Sequence, residues 1–312
     1  MVAPATANAL AKFARGIADD FLSTFYTAVT APVVLAPAMN TRMWLHPATQ
    51  ENVAALKARG NRVIEPASGW LAEGESGWGR LADPERIVEA ALAAARRSCQ
   101  LQGKSVVVSA GPTRESLDPL RYLSNRSSGK MGYALAAAAR RRGARVVLVS
   151  GPVDLPTPYG VEMVRVTTST EMLEAVRGAC RGAHALLMAA AVSDYVPVAQ
   201  GSKIKKTGGP LVLTLEEGPD ILAAIAREKG DLLVVGFAAE TEDLLARARE
   251  KLERKGLDFI VANQVSAVGT GIGADRNAVT VLDRQGGEHA IPEAGKGEVA
   301  EAILDRIFGE ES

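Results

Sequence analysis

The residues best suited to do chemistry crowd into one stretch, SNRSSGKMG (Ser124 to Gly132), set between VVVSAGPTRE and the alanine-rich run YALAAAARRRGA. It combines an amide, an arginine, three hydroxyls, two glycines and a lysine immediately before a predicted helix. Backbone N–H groups near Ser127, Ser128 and Gly129 at such a start can point at an anion, because the first turn of a helix leaves its donors without intrahelical partners. Glycine at 129 and 132 lets a phosphate come close to the backbone. The same residues also suit an ordinary capped helix start.

Other segments add candidate groups. MAAAVSDYVP places Asp194 and Tyr195 just past a strand of alanines, whose small side chains leave room for a flat ligand or for a closely packed helix; Asp194 also suits a turn cap. In SKIKK, Lys203, Lys205 and Lys206 stand in a glycine-flanked loop. That is either a solvated basic tip or the cation a triphosphate needs as its bond to the leaving group breaks. EEGPDILAAI predicts a helix from Pro219 with Asp220 in its first turn. VVGFAAET ends a strand with Phe237, Glu240 and Thr241 near its tip, and Lys251 and Lys255 share one face of the following helix. Asn8 and Asn40 each fall on a predicted loop after a strand, and GWLAEGESGWGRL forms a glycine-rich loop around Glu73 and Glu75. The turn after KSVVVSA is not GxGxxG, and the next strand ends in Ser150 where a ribose-binding acid would stand, which argues against a dinucleotide oxidoreductase.

These groups need a scaffold, and the 312 residues are 47% hydrophobic, enough to bury two cores. Lys+Arg and Asp+Glu both number 36, so there is no global basic field to draw the chain to nucleic acid or anionic lipid, and phosphate sites must be local. Only Cys99 and Cys180 are present, without metal-ligand or disulfide-framework spacing. No apolar run reaches the roughly 18 residues of a membrane span, and the cytoplasm is the expected compartment.

Short apolar strands alternate with amphipathic helices, the pattern of a parallel α/β sheet covered on both faces. The first hundred residues predict a strand stub at Met1 to Ala3, a helix from Ala7, strands at PVVLAP and NRVIEP, a helix after HPATQ and another from Pro84 to Arg97. After a polar boundary at Ser98 to Lys104, strands are expected at KSVVVSA, RVVLVS, VEMVRV, HALLMAAAV, LLVVGFAA, DFIVAN and AVTVLD, with helices at 130 to 142, 169 to 181, 219 to 228 and 241 to 255.

Taken in order, GPTRESLDPLRYLSNRSSGKMG, AAAVSDY, KIKK, PDIL, VGFAAET, KLERKGLDFIVAN and NAVTVL resemble the ligase half of the bacterial bifunctional phosphopantothenoylcysteine decarboxylase / phosphopantothenate–cysteine ligase family of coenzyme A synthesis. VAPATANALAKFARGIADD, APAMNTRMWLHPATQEN and GESGWGRL resemble its flavoprotein half. The resemblance implies a partial flavodoxin-like segment at residues 1–100 and a complete doubly wound, Rossmann-like ligase domain at 103–312. It implies that 4'-phosphopantothenate reacts with CTP to give an acyl-cytidylate and pyrophosphate, after which the amine of L-cysteine displaces CMP. Asn125 would then bind the acyl-cytidylate and donate to the developing oxyanion, and Lys203 would sit on the nucleotide phosphates. Met188, Ala189, Ala190, Asp194, Pro219, Asp220, Ile221, Leu222, Phe237, Lys251 and Lys255 match the family's CTP-binding positions. Ser127, Ser128, Gly129 and Gly132 would cradle the activated acyl phosphate, with Mg2+ beside the triphosphate. A homodimer through the ligase domain is implied, with a higher oligomer where flavoprotein domains trimerise.

The flavoprotein half departs from its family. Relatives begin earlier, with a glycine-containing strand and turn for FMN and a histidine for decarboxylation; His46, His184 and His289 do not fill that place, and Glu73 stands where the family has its reactive cysteine. Asn8 and Asn40 keep the FMN and substrate motifs. The segment is therefore expected to be N-terminally truncated, by loss or by a misplaced start, to bind FMN weakly or not at all, and not to decarboxylate by itself. The alternative reading is a non-catalytic flavin-fold regulatory or assembly subunit; intact NRSSGKMG, SDY and KIKK favour the enzyme. The choice of CTP over ATP rests on the resemblance alone.

Overall fold

Alternating strands and helices build two α/β units, Met1–Arg97 and Ser98–Ser312. The computed structural model describes residues 1–71, 74–95, 100–205, 208–240, 243–264 and 273–309. Among these residues no helix is long and apolar enough to cross a membrane.

The first unit runs β1 (Val2–Ala5), α1 (Ala7–Arg15), α2 (Phe21–Ala28), β2 (Val34–Pro37), α3 (Thr41–Leu45), α4 (Pro47–Ala58) and β3 (Arg62–Val63). Its three strands pair in parallel in the order β1-β2-β3, over a core that includes Leu10, Phe13, Leu35 and Leu56. The Thr6 hydroxyl caps α1 by accepting from the Ala9 N–H, which starts the helix early enough to take in Asn8. Asn8 thus lies in the first turn of α1 and not on a loop. The glycine-rich segment, expected to be a loop, contributes strands on either side of its centre. β4 (Ala67–Trp70) and β5 (Ser76–Arg80) pair as an antiparallel hairpin, and α5 (Pro84–Ala95) follows. Glu73 lies outside the described residues.

The second unit opens with β6 (Ser105–Ala110), a hairpin of β7 (Arg114–Asp118) and β8 (Arg121–Ser124), then α6 (Lys130–Arg141), β9 (Arg145–Ser150), β10 (Glu162–Arg165) and α7 (Ser169–Cys180). It continues through β11 (Ala185–Met188), a second hairpin of β12 (Tyr195–Pro197) and β13 (Leu215–Glu217), α8 (Ile221–Glu228), β14 (Leu233–Glu240) and α9 (Leu244–Arg254). It closes with β15 (Phe259–Gln264), β16 (Arg276–Asp283), β17 (Glu288–Gly295) and α10 (Lys296–Phe308). Eight strands form one sheet in the order β10-β9-β6-β11-β14-β15-β16-β17, parallel through β15 and antiparallel beyond it.

Strand alternation sends Val106, Val108 and Ala110 of β6 to one face, against α6 and α10, and Val107 to the other, against α7, α8 and α9. Burial on both faces is why the three valines of this strand follow one another without a polar break. The doubly wound architecture expected from the sequence is the one observed. Both hairpins, β17 and α10 are additions to the expected elements. β11 stops at Met188, so the alanines after it leave the strand, and α8 begins at Ile221 with Asp220 as its N-cap and not inside its first turn.

Candidate active site

The chain order of the large sheet reverses between β6 and β11, and the carboxyl ends of these strands are where an open α/β sheet presents its ligand crevice. A cleft of about 510 Å³ opens there.

Its floor is the segment from Met188 to Val192. Ser109 fixes this floor twice, donating from its hydroxyl to Met188 Sδ (3.0 Å) and accepting from the Ala190 N–H (3.1 Å). The Ala191 N–H donates to Gly111 O at 2.9 Å. With only methyl side chains at 189, 190 and 191, the floor stays shallow enough for a flat group to lie on it.

One wall is the start of α6. Gly129, its N-cap, has φ +72 and no side-chain cap, and the first intrahelical bond runs from the Tyr133 N–H to Gly129 O. The Gly129 N–H itself donates to the Ser127 hydroxyl (3.3 Å), whereas the N–H groups of the first helical turn, Lys130 to Gly132, have no intrahelical acceptor and are the ones available to an anion. Gly132 presses this turn onto β6: a Cβ there would stand 2.6 Å from Ala110 Cβ and 2.8 Å from Ser109 O.

The facing wall is the start of α8. Asp220 accepts from the Ala223 N–H (3.0 Å) and pairs with Lys255 Nζ (3.0 Å), while Lys251 Nζ donates to Phe237 O (2.9 Å). Burial opposes ionisation of Asp220, but the Ala223 N–H and the Lys255 ammonium outweigh it and hold the carboxyl below its ordinary range. Two helix N-termini thus border one cleft, each with lysines beside it.

Ser127, Ser128, Gly129 and Gly132 line the first wall, Met188, Ala189 and Ala190 the floor, and Pro219, Asp220, Ile221 and Leu222 the second wall. Asp194, Phe237, Lys251 and Lys255 also line the cleft. Asn125 and Lys203 are not among its lining residues. Asn125 Nδ2 donates to Val192 O (2.9 Å) and weakly to Ala191 O (3.5 Å), so the donor expected to face an oxyanion clasps the cleft floor in this structure. Lys203 is exposed beside Ile204, whose N–H donates to buried Asp118 (3.1 Å) and whose carbonyl accepts from Arg121 (2.9 Å). Lys206 and Thr241 lie outside the described residues.

The tertiary structure adds residues not expected from the sequence to take part in the site. Lys130 donates to Asp275 and Gly273 O, and Lys296, at the start of α10, donates to Ala274 O. Burial, reinforced by the neighbouring Lys130 ammonium, pushes the Lys296 pKa below its ordinary value. Asn263, near the end of β15, also lines the cleft, and its Oδ1 is buried without a hydrogen-bond partner among the described residues. Lys130 belongs to the first motif. Lys296 and Asn263 carry no local signal and reach the cleft only because α10 and β15 pack beside it. The described residues hold no cluster of three or more His, Cys, Asp or Glu able to hold a metal.

A family described as DNA/pantothenate metabolism flavoprotein C-terminal domain matches residues 101–310, and one described as Flavoprotein matches residues 1–96. The coenzyme A biosynthesis bifunctional protein CoaBC of Bacillus subtilis (strain 168) is 47% identical over 311 residues, which cover 98% of this chain and 77% of that protein. A cysteine/cysteine sulfinic acid decarboxylase from an unknown prokaryotic organism is 43% identical over 315 residues, covering 99% of this chain and 88% of that one. The crystal structure of the C-terminal domain of a CoaBC protein superposes with a TM-score of 0.59 at 39% identity, over 68% of this chain and 97% of that one.

Proposed function

This chain belongs to the family of coenzyme A biosynthesis bifunctional CoaBC proteins, and from that membership we propose that its second unit is a CTP-dependent phosphopantothenate–cysteine ligase. The observation that carries the proposal is the cleft between the starts of α6 and α8, with Lys130 and Lys296 on one side and Lys251 and Lys255 on the other. Such a site suits a ligand with a polyanionic chain and a flat ring.

In the proposed reaction a carboxylate oxygen of 4'-phosphopantothenate attacks the α-phosphorus of CTP, and the bond from that phosphorus to the bridging oxygen breaks. Pyrophosphate leaves with the electron pair. The amine of L-cysteine then adds to the activated carbonyl, loses a proton, and CMP departs. The N–H groups in the first turn of α6 counter the charge that builds on the phosphate oxygens, and Lys130 and Lys255, here paired with Asp275 and Asp220, stand beside them to share it with the triphosphate. The orphaned Asn263 Oδ1 suits the exocyclic amine of a nucleobase, a feature that cytosine and adenine share. Asn125 holds the floor against which the acyl-cytidylate lies, and Lys203 approaches the phosphates from its exposed loop.

Magnesium suits this donor set through phosphate oxygens together with one or two carboxylates, as the ion is commonly held. Asp194 lines the cleft without an ion-pair partner among the described residues, and it would be the side chain that helps hold the metal. The ion would supply neutralisation of the triphosphate.

Exposed apolar side chains on and beside the two hairpins, among them Leu120, Tyr122, Tyr195 and Val198, support a homodimer formed through this unit. In the first unit, the Oδ1 of Asn40 already accepts from the Arg42 N–H (2.8 Å), and the Nδ1 of His46 accepts from the Ala48 N–H (3.2 Å) to cap α4. Those residues fit a flavin in part only, and flavin retention by this chain is proposed to be weak.

The test is pyrophosphate release by the purified chain with 4'-phosphopantothenate, CTP and magnesium, with product mass followed with and without cysteine. Phosphopantothenoylcysteine formed only when cysteine is present is the expected result. A folded protein that releases no pyrophosphate under any of these conditions overturns the reading.

A further inference from the structure

A second cavity, of about 670 Å³, shares Ser127, Ser128 and Lys130 with the cleft and is otherwise built from the ends of other strands. Gly151 to Leu155 after β9, Arg165 at the end of β10 and Arg114 at the start of β7 line it. The backbone brings the two arginines to the same place. The Arg114 N–H donates to Thr167 O (2.8 Å), two residues beyond Arg165, and Arg165 lies in register with Ser150, which also lines the cavity. Gly151 is required for this convergence, because a Cβ there would collide with Pro112 O.

The charge of this cavity is unusual. The Arg114 guanidinium lies 4.7 Å over the Tyr122 ring, a contact that fixes its plane without neutralising it. Neither Arg114 nor Arg165 has a carboxylate partner among the described residues, unlike Arg141 and Arg142, which both bind Glu301. Hydroxyls of Ser127 and Ser128 are near, that of Ser150 being taken up by Gly151 O and Tyr133, and the one acidic side chain of the lining, Asp154, is exposed. Two forked cations beside hydroxyls suit a phosphate better than a carboxylate or an apolar group.

We propose that this cavity is a phosphate subsite, in which Arg114 and Arg165 hold a phosphomonoester or diphosphate group across the Ser127–Lys130 segment from the nucleotide cleft. The subsite stands on its own geometry. The identity of the phosphate, either the 4'-phosphate of the acyl substrate or the pyrophosphate released from the nucleotide, rests on the ligase reading.

The experiment is calorimetric titration of the full chain with inorganic pyrophosphate and, separately, with 4'-phosphopantothenate. The proteins compared are the unsubstituted chain, Arg114→Gln, Arg165→Gln, Arg114→Lys and Asp154→Asn, each checked for folding by its thermal melt. Affinity for one of the two anions should fall by roughly tenfold or more in each Gln variant, the range of a lost charged hydrogen bond. Arg114→Lys should recover part of that loss, and Asp154→Asn should tighten binding by about twofold to fivefold. Loss confined to pyrophosphate identifies the diphosphate end; loss confined to phosphopantothenate identifies the acyl-substrate end. Unchanged affinity for both in the Gln variants, or no binding of either anion by the unsubstituted chain, overturns the proposal. Arginine-dependent binding in a chain that does not ligate would remove the ligase reading and leave the subsite standing, whereas ligation with arginine-independent binding would do the reverse.

Discussion

Replacing Gly132 by alanine adds one methyl at the point where the start of α6 meets β6. The new Cβ would stand 2.6 Å from Ala110 Cβ, 2.8 Å from Ser109 O and 3.1 Å from Ala110 Cα, all atoms of a buried central strand that has nowhere to retreat. Ordinary contact begins near 3.4 Å, so α6 must move outward by about 0.8 Å, the difference between 3.4 and 2.6 Å. Overpacking of this kind costs about 1–3 kcal/mol, and alanine returns about 1 kcal/mol of helix propensity. The net loss is therefore roughly 0–2 kcal/mol, a fall in melting temperature of at most about 8 °C for a unit of this size. Function should suffer more, because Ser127 to Lys130 ride on the displaced turn and a misplacement near 1 Å costs about 100-fold in rate.

Pyrophosphate release and a thermal melt measure the two effects on the same preparation. Gly178→Ala is the matched control: it lies in α7 with nothing within 4 Å of its added Cβ, so it should stabilise by about 0.5–1 kcal/mol and leave turnover unchanged. Turnover within about threefold of the unsubstituted chain in Gly132→Ala, with an unmoved melt, would show that the tight contact between α6 and β6 does not position the site.

Asn125→Ala removes the clasp to Val192 O and Ala191 O. It should cost about 0.5–1.5 kcal/mol in a denaturant melt while lowering kcat by about 100-fold, so a kcat loss no larger than the stability loss would assign Asn125 a purely structural role. Lys255→Met leaves Asp220 without its ammonium partner and should weaken CTP binding by roughly tenfold at low salt, with a shallower salt dependence. Because the folded pKa of Asp220 is depressed, its contribution is present above its unfolded pKa and is lost as the pH falls through the folded value; Lys255→Met should move that acid limb upward. Glu301 joins α10 to α6 through Arg141 (2.8 Å) and Arg142 (2.9 Å), and although burial opposes its ionisation, the two arginines hold its carboxyl below the ordinary range. Glu301→Gln should therefore destabilise by about 1.5–3 kcal/mol at neutral pH and by progressively less as the pH drops through the depressed pKa of the native residue, which urea melts at several pH values will read.

Local chemistry makes much of this protein legible from its sequence. SVVVSA (Ser105–Ala110) and RVVLVS (Arg145–Ser150) carry unbroken apolar runs because their strands are covered on both faces, and that pattern survives in any order of the strands. The motif residues Ser127, Gly129, Asp194, Asp220 and Phe237 converge on one cleft because each follows a parallel strand, starts a helix or, for Phe237, lies in the second half of a parallel strand, at the same edge of the sheet. Hairpins are harder to see. No strand is predicted within GPTRESLDPLRYLS, since the pairing of β7 with β8 shows weak apolar alternation and is anchored by the buried Asp118 carboxylate. Asn8 sits where the sequence allows either a loop or the start of the helix predicted from Ala7, and the Thr6 hydroxyl decides for the helix by capping it.

The sequence by itself determined the two α/β units' strand and helix periodicities, the anion-seeking helix starts and the family, because these depend on residue type and spacing over short ranges. Only the tertiary structure decided that Lys296 and Asn263 join the cleft, that the Asn125 donor is engaged by backbone carbonyls, and that Arg114 and Arg165 share a cavity. Those facts depend on strand order and on which chain segments cross, and a lysine far along the chain from its neighbours in space carries no local mark of where it will point.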